Sequence, residues 1–168
     1  MHHVSRRVAT VVAATGLTLG AAVGLSTSSQ AASATFTTPL SGAEEVPAVD
    51  THARGVATFQ LSNDGTELSY RVIASNIEDV HMAHIHLGAA GATGGVVVWL
   101  YPDAPPPVHI EGRHSGVLAT GTITADDLVG ALAGMDLSDL VDAMEAGMTY
   151  VNVHTMENMS GEIRGQID

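Results

Sequence analysis

The sequence predicts a mainly β protein: an antiparallel β-sandwich of about eight strands, with two short helices inserted before the last two strands. Three observations predict it. Apolar and polar residues alternate with period two in many short segments. Glycine, proline, asparagine and aspartate punctuate those segments. The alternation yields once, between Thr124 and Gly147, to apolar residues at helical spacing.

Thr35 to Leu40 reads as the first strand, and Ser41 to Arg54, with Glu44, Glu45 and Pro47, as a loop. Gly55 to Leu61 sets Ala57, Phe59 and Leu61 on one face. Glu67 to Ala74 answers with Leu68, Tyr70 and Val72. Ser62-Asn63-Asp64-Gly65 joins them, because Asp-Gly accepts the positive backbone angles of a hairpin turn. Val80 to Leu87 and Val96 to Tyr101 are strands flanking the glycine-rich turn Gly88 to Gly95. Pro105-Pro106-Pro107 places Pro102 to Gly116 in a loop, since proline cannot donate to a sheet ladder. Val117 to Thr124 is the next strand. Thr124 with Asp127 forms a capping signal for a first helix carrying Leu128, Ala131 and Leu132. Gly134 ends it, and Asp136 or Ser138 caps a second helix with Leu137, Leu140, Val141 and Met144 on its apolar stripe. Tyr150 to Met156 and Gly161 to Ile167 close the chain as strands.

Residues 1–34 read as a secretory signal peptide: Arg6-Arg7, then an apolar stretch from Val8 to Leu25, then small residues that fit cleavage after Ala31 or Ala34. Ser5-Arg6-Arg7 suits twin-arginine export as well as it suits the general secretory route. The expected mature protein, residues 35–168 as a domain, is secreted or associated with the cell surface. It holds four arginines and no lysine against 18 acidic residues, a net charge of −14. Such a surface repels nucleic acid and anionic lipid and attracts cations. No stable membrane insertion is expected once the signal is cleaved. Cysteine is absent, which excludes disulfides, thiol catalysis and thiolate metal sites.

Chemistry concentrates in two strands. Along Val80 to Leu87, Ala83, Ile85 and Leu87 share one face, and Met82, His84 and His86 share the other. Two imidazoles at i and i+2 on a strand point the same way. Tyr150 to Met156 repeats the pattern, with Tyr150, Asn152, His154 and Met156 together. His84, His86 and His154 are therefore the candidate ligands for copper or zinc. Met82, Met156 and Met159 are accessory candidates, as thioethers that suit Cu(I). His81 is out of phase with His84 and joins the set only if the strand bulges there. The alternative is that these histidines hydrogen-bond to backbone or acidic neighbours and order the glycine-rich turn. Glu162 and Arg164 are expected as an exposed surface pair, and His109, Glu111 and His114 as a solvated loop.

Other enzyme chemistry finds little in the sequence. No serine sits in a nucleophile elbow. The carboxylates are scattered over loops and helices. Gly88 to Gly95 joins two strands rather than opening a helix, so it is not a phosphate loop.

Several separated motifs, in order, resemble the CHRD (chordin-type) domain. They are Ala83-His84-Ile85-His86-Leu87-Gly88, Gly94-Gly95-Val96-Val97, Gly116 to Ile123, Tyr150-Val151-Asn152-Val153-His154-Thr155, and Gly161-Glu162-Ile163-Arg164-Gly165-Gln166-Ile167. The resemblance spans about Thr35 to Asp168. It implies an extracellular β-sandwich, occurring as single-domain exported proteins, that serves as a binding or structural module toward an extracellular protein or surface partner. The family usually carries a proline before the glycine that follows the last histidine. Here that linker reads Met156-Glu157-Asn158-Met159-Ser160. A fainter similarity is to the copper-zinc superoxide dismutase sandwich, itself Ig-like, in which a His-x-His strand and a later Val-x-Val-His strand hold copper. By motif the matching positions are His84, His86 and His154, and what this similarity implies is a redox enzyme.

Overall fold

The computed structural model describes residues 33–168, so the signal-peptide reading of residues 1–34 lies almost wholly outside the described residues. The described residues are mainly β and antiparallel, with seven strands in one connected sheet. They are β1 (Thr35–Ser41), β2 (Arg54–Leu61), β3 (Leu68–Leu87), β4 (Gly95–Tyr101), β5 (Ile110–Ile123), β6 (Thr149–Thr155) and β7 (Ile163–Ile167), with one helix, α1 (Leu137–Glu145), before β6. β1, β2, β3, β6 and β7 close into a ring, in which β1 meets β7 at Ser41 and Arg164. No helix among the described residues is long and apolar enough to cross a membrane.

The strand count falls to seven because Glu67 to Ala74 and Val80 to Leu87 belong to one 20-residue strand, β3. Asn76 and Asp79, both at φ 51, take the left-handed conformation that short polar side chains tolerate. The chain bulges there and keeps pairing, with Ile77 opposite His114 and Glu78 opposite Arg113. The half of β3 before these bulges lies between β2 and β5, and the half after them between β6 and β4. The expected loop from Pro102 to Gly116 is accordingly shorter, since β5 begins at Ile110. Asp79 stitches this junction: its Oδ1 accepts from the Gly112 N–H at 2.7 Å and from His109 Nε2 at 3.2 Å.

The first expected helix is replaced by two 3-10 turns, Ala125–Asp127 and Gly130–Leu132. Asp127 caps Thr124 as expected, its Oδ2 accepting from the Thr124 N–H and hydroxyl. One turn later Gly130, at φ 59, and the Val129 N–H, which donates to the Val97 carbonyl, divert the backbone. Leu128 and Leu132 are buried all the same. The second helix forms as α1, capped by Asp136 and Asp139, and buries Leu137, Leu140, Val141 and Met144.

A single hydrophobic cluster fills the interior, with Phe59, Leu68, Val72, Ile85, Leu100, Leu140, Val151 and Ile163 among its members. The second face of β6 is buried too. Every residue of β6 is buried, whereas an exposed strand face would alternate. The loops before β2, before β4 and before β7 fold over that face. They enclose a polar second layer of His84, His86, Tyr150, Asn152, His154, Glu162 and Arg164.

Candidate metal centre

The register of β3 against β6 brings the histidines together. Met82 lies opposite His154, His84 opposite Asn152 and His86 opposite Tyr150. All three candidate ligands leave the strands on the loop-covered face and are buried, His84 at 3% exposure, His86 at 8% and His154 at 5%. One nitrogen from each lies within 4.8 Å of the others.

Hydrogen bonds fix which nitrogen of each ring holds a lone pair. His86 Nδ1–H donates to the Gly94 carbonyl at 3.0 Å, and His154 Nδ1–H donates to the Met159 carbonyl at 3.0 Å. A backbone carbonyl only accepts, so both Nδ1 atoms carry the proton and both Nε2 atoms are free to donate electrons. His84 Nδ1 stands 3.1 Å from His154 Nε2. In the metal-free protein this is a hydrogen bond from His84 to His154. It leaves His84 Nε2, like His86 Nε2, buried with no partner. Two nitrogens bound to one zinc at about 2.0–2.1 Å in tetrahedral geometry stand about 3.3 Å apart. The His84–His154 separation is close to such an edge, and the proton between the two rings is what a metal would displace.

Burial keeps the cluster uncharged. It is the largest influence on His84, whose pKa falls from 6.5 to about 3, with His154 and His86 disfavouring a further positive charge. Burial and His86 bring His154 down to about 4. His86 is also lowered, by burial first and with Arg164 contributing, against the raising effect of its bond to Gly94. Neutral imidazole is the form that binds a metal.

The surrounding groups orient the rings. Tyr150 stacks on His86 with the planes 6° apart and centroids 4.8 Å apart, and its hydroxyl accepts from the Gly94 N–H. Gly94 thus holds His86 directly and Tyr150 in turn. A Cβ at Gly94 would stand 1.7 Å from the Leu87 carbonyl oxygen, so only glycine fits this close approach. Trp99 of β4, opposite His84, meets its ring edge-on at 4.3 Å. Arg164 lies over Tyr150, 3.4 Å from the ring centroid, with its guanidinium donating to the Ala89 carbonyl.

The accessory candidates fare differently. Met156 and Met159 expose about half of their surface, 51% and 49%, and Met159 contributes its carbonyl. Met82 and His81 are half-buried. Glu162 and Arg164 do not form the expected surface pair: both are buried, and each has other partners. Glu162 accepts from the Thr51 and Thr155 hydroxyls, and Arg164 sits against Tyr150. Alternation placed both side chains on the correct face, and the loops that cover that face reverse the expected exposure.

The family model for the CHRD domain matches residues 36–167. The chain belongs to the CHRD family. No curated protein and no solved structure matches it significantly. The CHRD match covers both histidine strands, the glycine-rich turn and the final strand, so the whole histidine cluster lies inside the family domain.

Proposed function

We propose that this CHRD domain is an exported, extracellular binding module whose ligand is one transition-metal ion, copper or zinc, held by His84, His86 and His154. The observation that carries the reading is the pair of carbonyl anchors. Gly94 and Met159 fix two protons on Nδ1 and so leave two Nε2 lone pairs within one buried cluster of three imidazoles. Such second-layer bonds set tautomer and orientation in metal sites. An orphaned Nε2 on both His84 and His86 is costly in a buried setting and is relieved by a metal. The acidic surface favours any cation in solution.

The test is metal content by mass spectrometry on mature protein equilibrated with copper and zinc salts, beside a His84→Ala/His86→Ala variant. About one equivalent of metal is expected in the wild type and none in a still-folded variant. Equal retention by both proteins would return the histidines to a hydrogen-bonding role. A superoxide dismutation assay on the loaded protein separates a metal-binding module from a redox enzyme, and only the enzyme turns over.

A further inference from the structure

We infer that His81 is the fourth nitrogen ligand of this site and stands at its mouth. The inference rests on the three-histidine reading above and goes beyond it by completing the coordination shell.

Strict alternation would send His81 away from His84. The β3–β6 ladder does not alternate strictly there. Val80 pairs with Thr155 and Met82 with His154, so His81 and Met82 together stand opposite one residue of β6. A two-for-one bulge re-aims side chains and is common beside functional sites. The extra residue that this bulge sets beside Met82, the partner of His154, is another histidine.

Two further observations bear on it. His81 Nδ1 is shielded from solvent and has no hydrogen-bond partner. His84, His86 and His154 are buried, whereas His81 is half-buried. Its nitrogens stand outside the set that already lies within 4.8 Å, so it joins by swinging inward once a metal sits on the other three. Being partly in solvent, it is the imidazole an arriving ion meets first.

This assignment also selects the metal. Four imidazoles suit Cu(II) and Zn(II), whereas three imidazoles and a thioether suit Cu(I). With His81 as the fourth ligand, the thioethers of Met156 and Met159 remain in solvent, and Met82 is the one competitor within the bulge.

The experiment compares wild type, His81→Ala, His81→Gln and Met82→Leu, each as mature protein titrated with Cu(II) against a competing chelator. Quenching of the single tryptophan, Trp99, beside His84 gives the readout. X-ray absorption on the zinc-loaded forms counts nitrogen and sulfur ligands. Both His81 variants should keep one equivalent of metal and lose affinity by about 10- to 100-fold, with one nitrogen replaced by oxygen. Met82→Leu should match wild type. Wild-type affinity and spectra in both His81 variants, or a sulfur ligand lost in Met82→Leu, would overturn the assignment and leave the three-histidine site standing. A wild type that takes no metal would overturn both.

Discussion

The neutrality of the histidine cluster makes the metal-free protein acid-sensitive by a calculable amount. His84 and His154 titrate at about 3 and about 4 in the folded protein, against 6.5 in an unfolded chain. Below 6.5 the unfolded chain takes up protons that the folded chain refuses. Stability is therefore complete above 6.5 and falls as the pH drops toward the folded values. Each group contributes about 1.4 kcal/mol per pH unit, hence about 2 kcal/mol near pH 5 and about 4 kcal/mol for the pair. That is a large part of the roughly 5–15 kcal/mol that holds a domain folded. His86 is shifted in the same direction. Glu45 has the opposite sign: burial raises it from 4.5 to about 7, so its protonation favours the folded state below 7. The measurement is therefore best made as a difference between two proteins that share Glu45. Urea unfolding of chelator-treated wild type and His154→Gln at about pH 7 and about pH 5 should show the wild type losing about 2 kcal/mol more than the variant. Equal losses, or a proton resonance of folded His154 titrating near 6.5, would refute the reasoning.

Three other outcomes are expected. Gly94→Ala drives a Cβ into the Leu87 carbonyl and should cost about 3 kcal/mol, with loss of bound metal as the His86 anchor shifts. An unchanged melting temperature would contradict it. Glu45→Gln keeps a polar partner for Asn152 while removing the titration, so the stability that wild type loses as the pH rises from 4.5 through 7 should be retained. Melts at about pH 6 and about pH 8 measure this, and identical pH dependence in the two proteins would count against it. The Ala34 carbonyl accepts from the Leu61 N–H at 2.9 Å, so if residues 1–34 hold a cleaved signal, cleavage after Ala31 is the one of the two expected sites that preserves that bond. The intact mass of the exported protein checks this, and a chain beginning at Thr35 would show the bond to be dispensable.

Much of this was legible in local sequence because the relevant signals are local. Asp64-Gly65 fixed the β2–β3 turn, and period-two alternation put His84, His86 and His154 on matching faces. The four apolar residues of α1 fell at helical spacing, and all four are buried. What sequence did not reveal depends on partners far along the chain. Asn76 and Asp79 look like a strand break, and only β5, more than thirty residues on, shows that pairing continues through them. Glu162 and Arg164 look exposed until Thr51 and the loop before β4 cover them. The carbonyls of Gly94 and Met159, which hold the His86 and His154 rings, have no side-chain signature. The closest sequence signals were the glycine-rich turn after His86 and the short linker after His154. The bulge at His81 follows from the β6 register, which one strand's alternation does not encode.

The meeting of β1 with β7 has a topological consequence. Ser41 lies opposite Arg164, and the Thr38 hydroxyl donates to the Gln166 carbonyl, so the first and last strands run side by side in opposite directions. The domain's two ends therefore emerge at the same edge of the ring. A short linker from Asp168 back to Thr35, with new ends opened in the exposed turn around Asn63 and Asp64, gives a circular permutant that retains every strand pairing. For the same reason the fold is compatible with insertion in a longer polypeptide, both connections leaving from one edge of the ring.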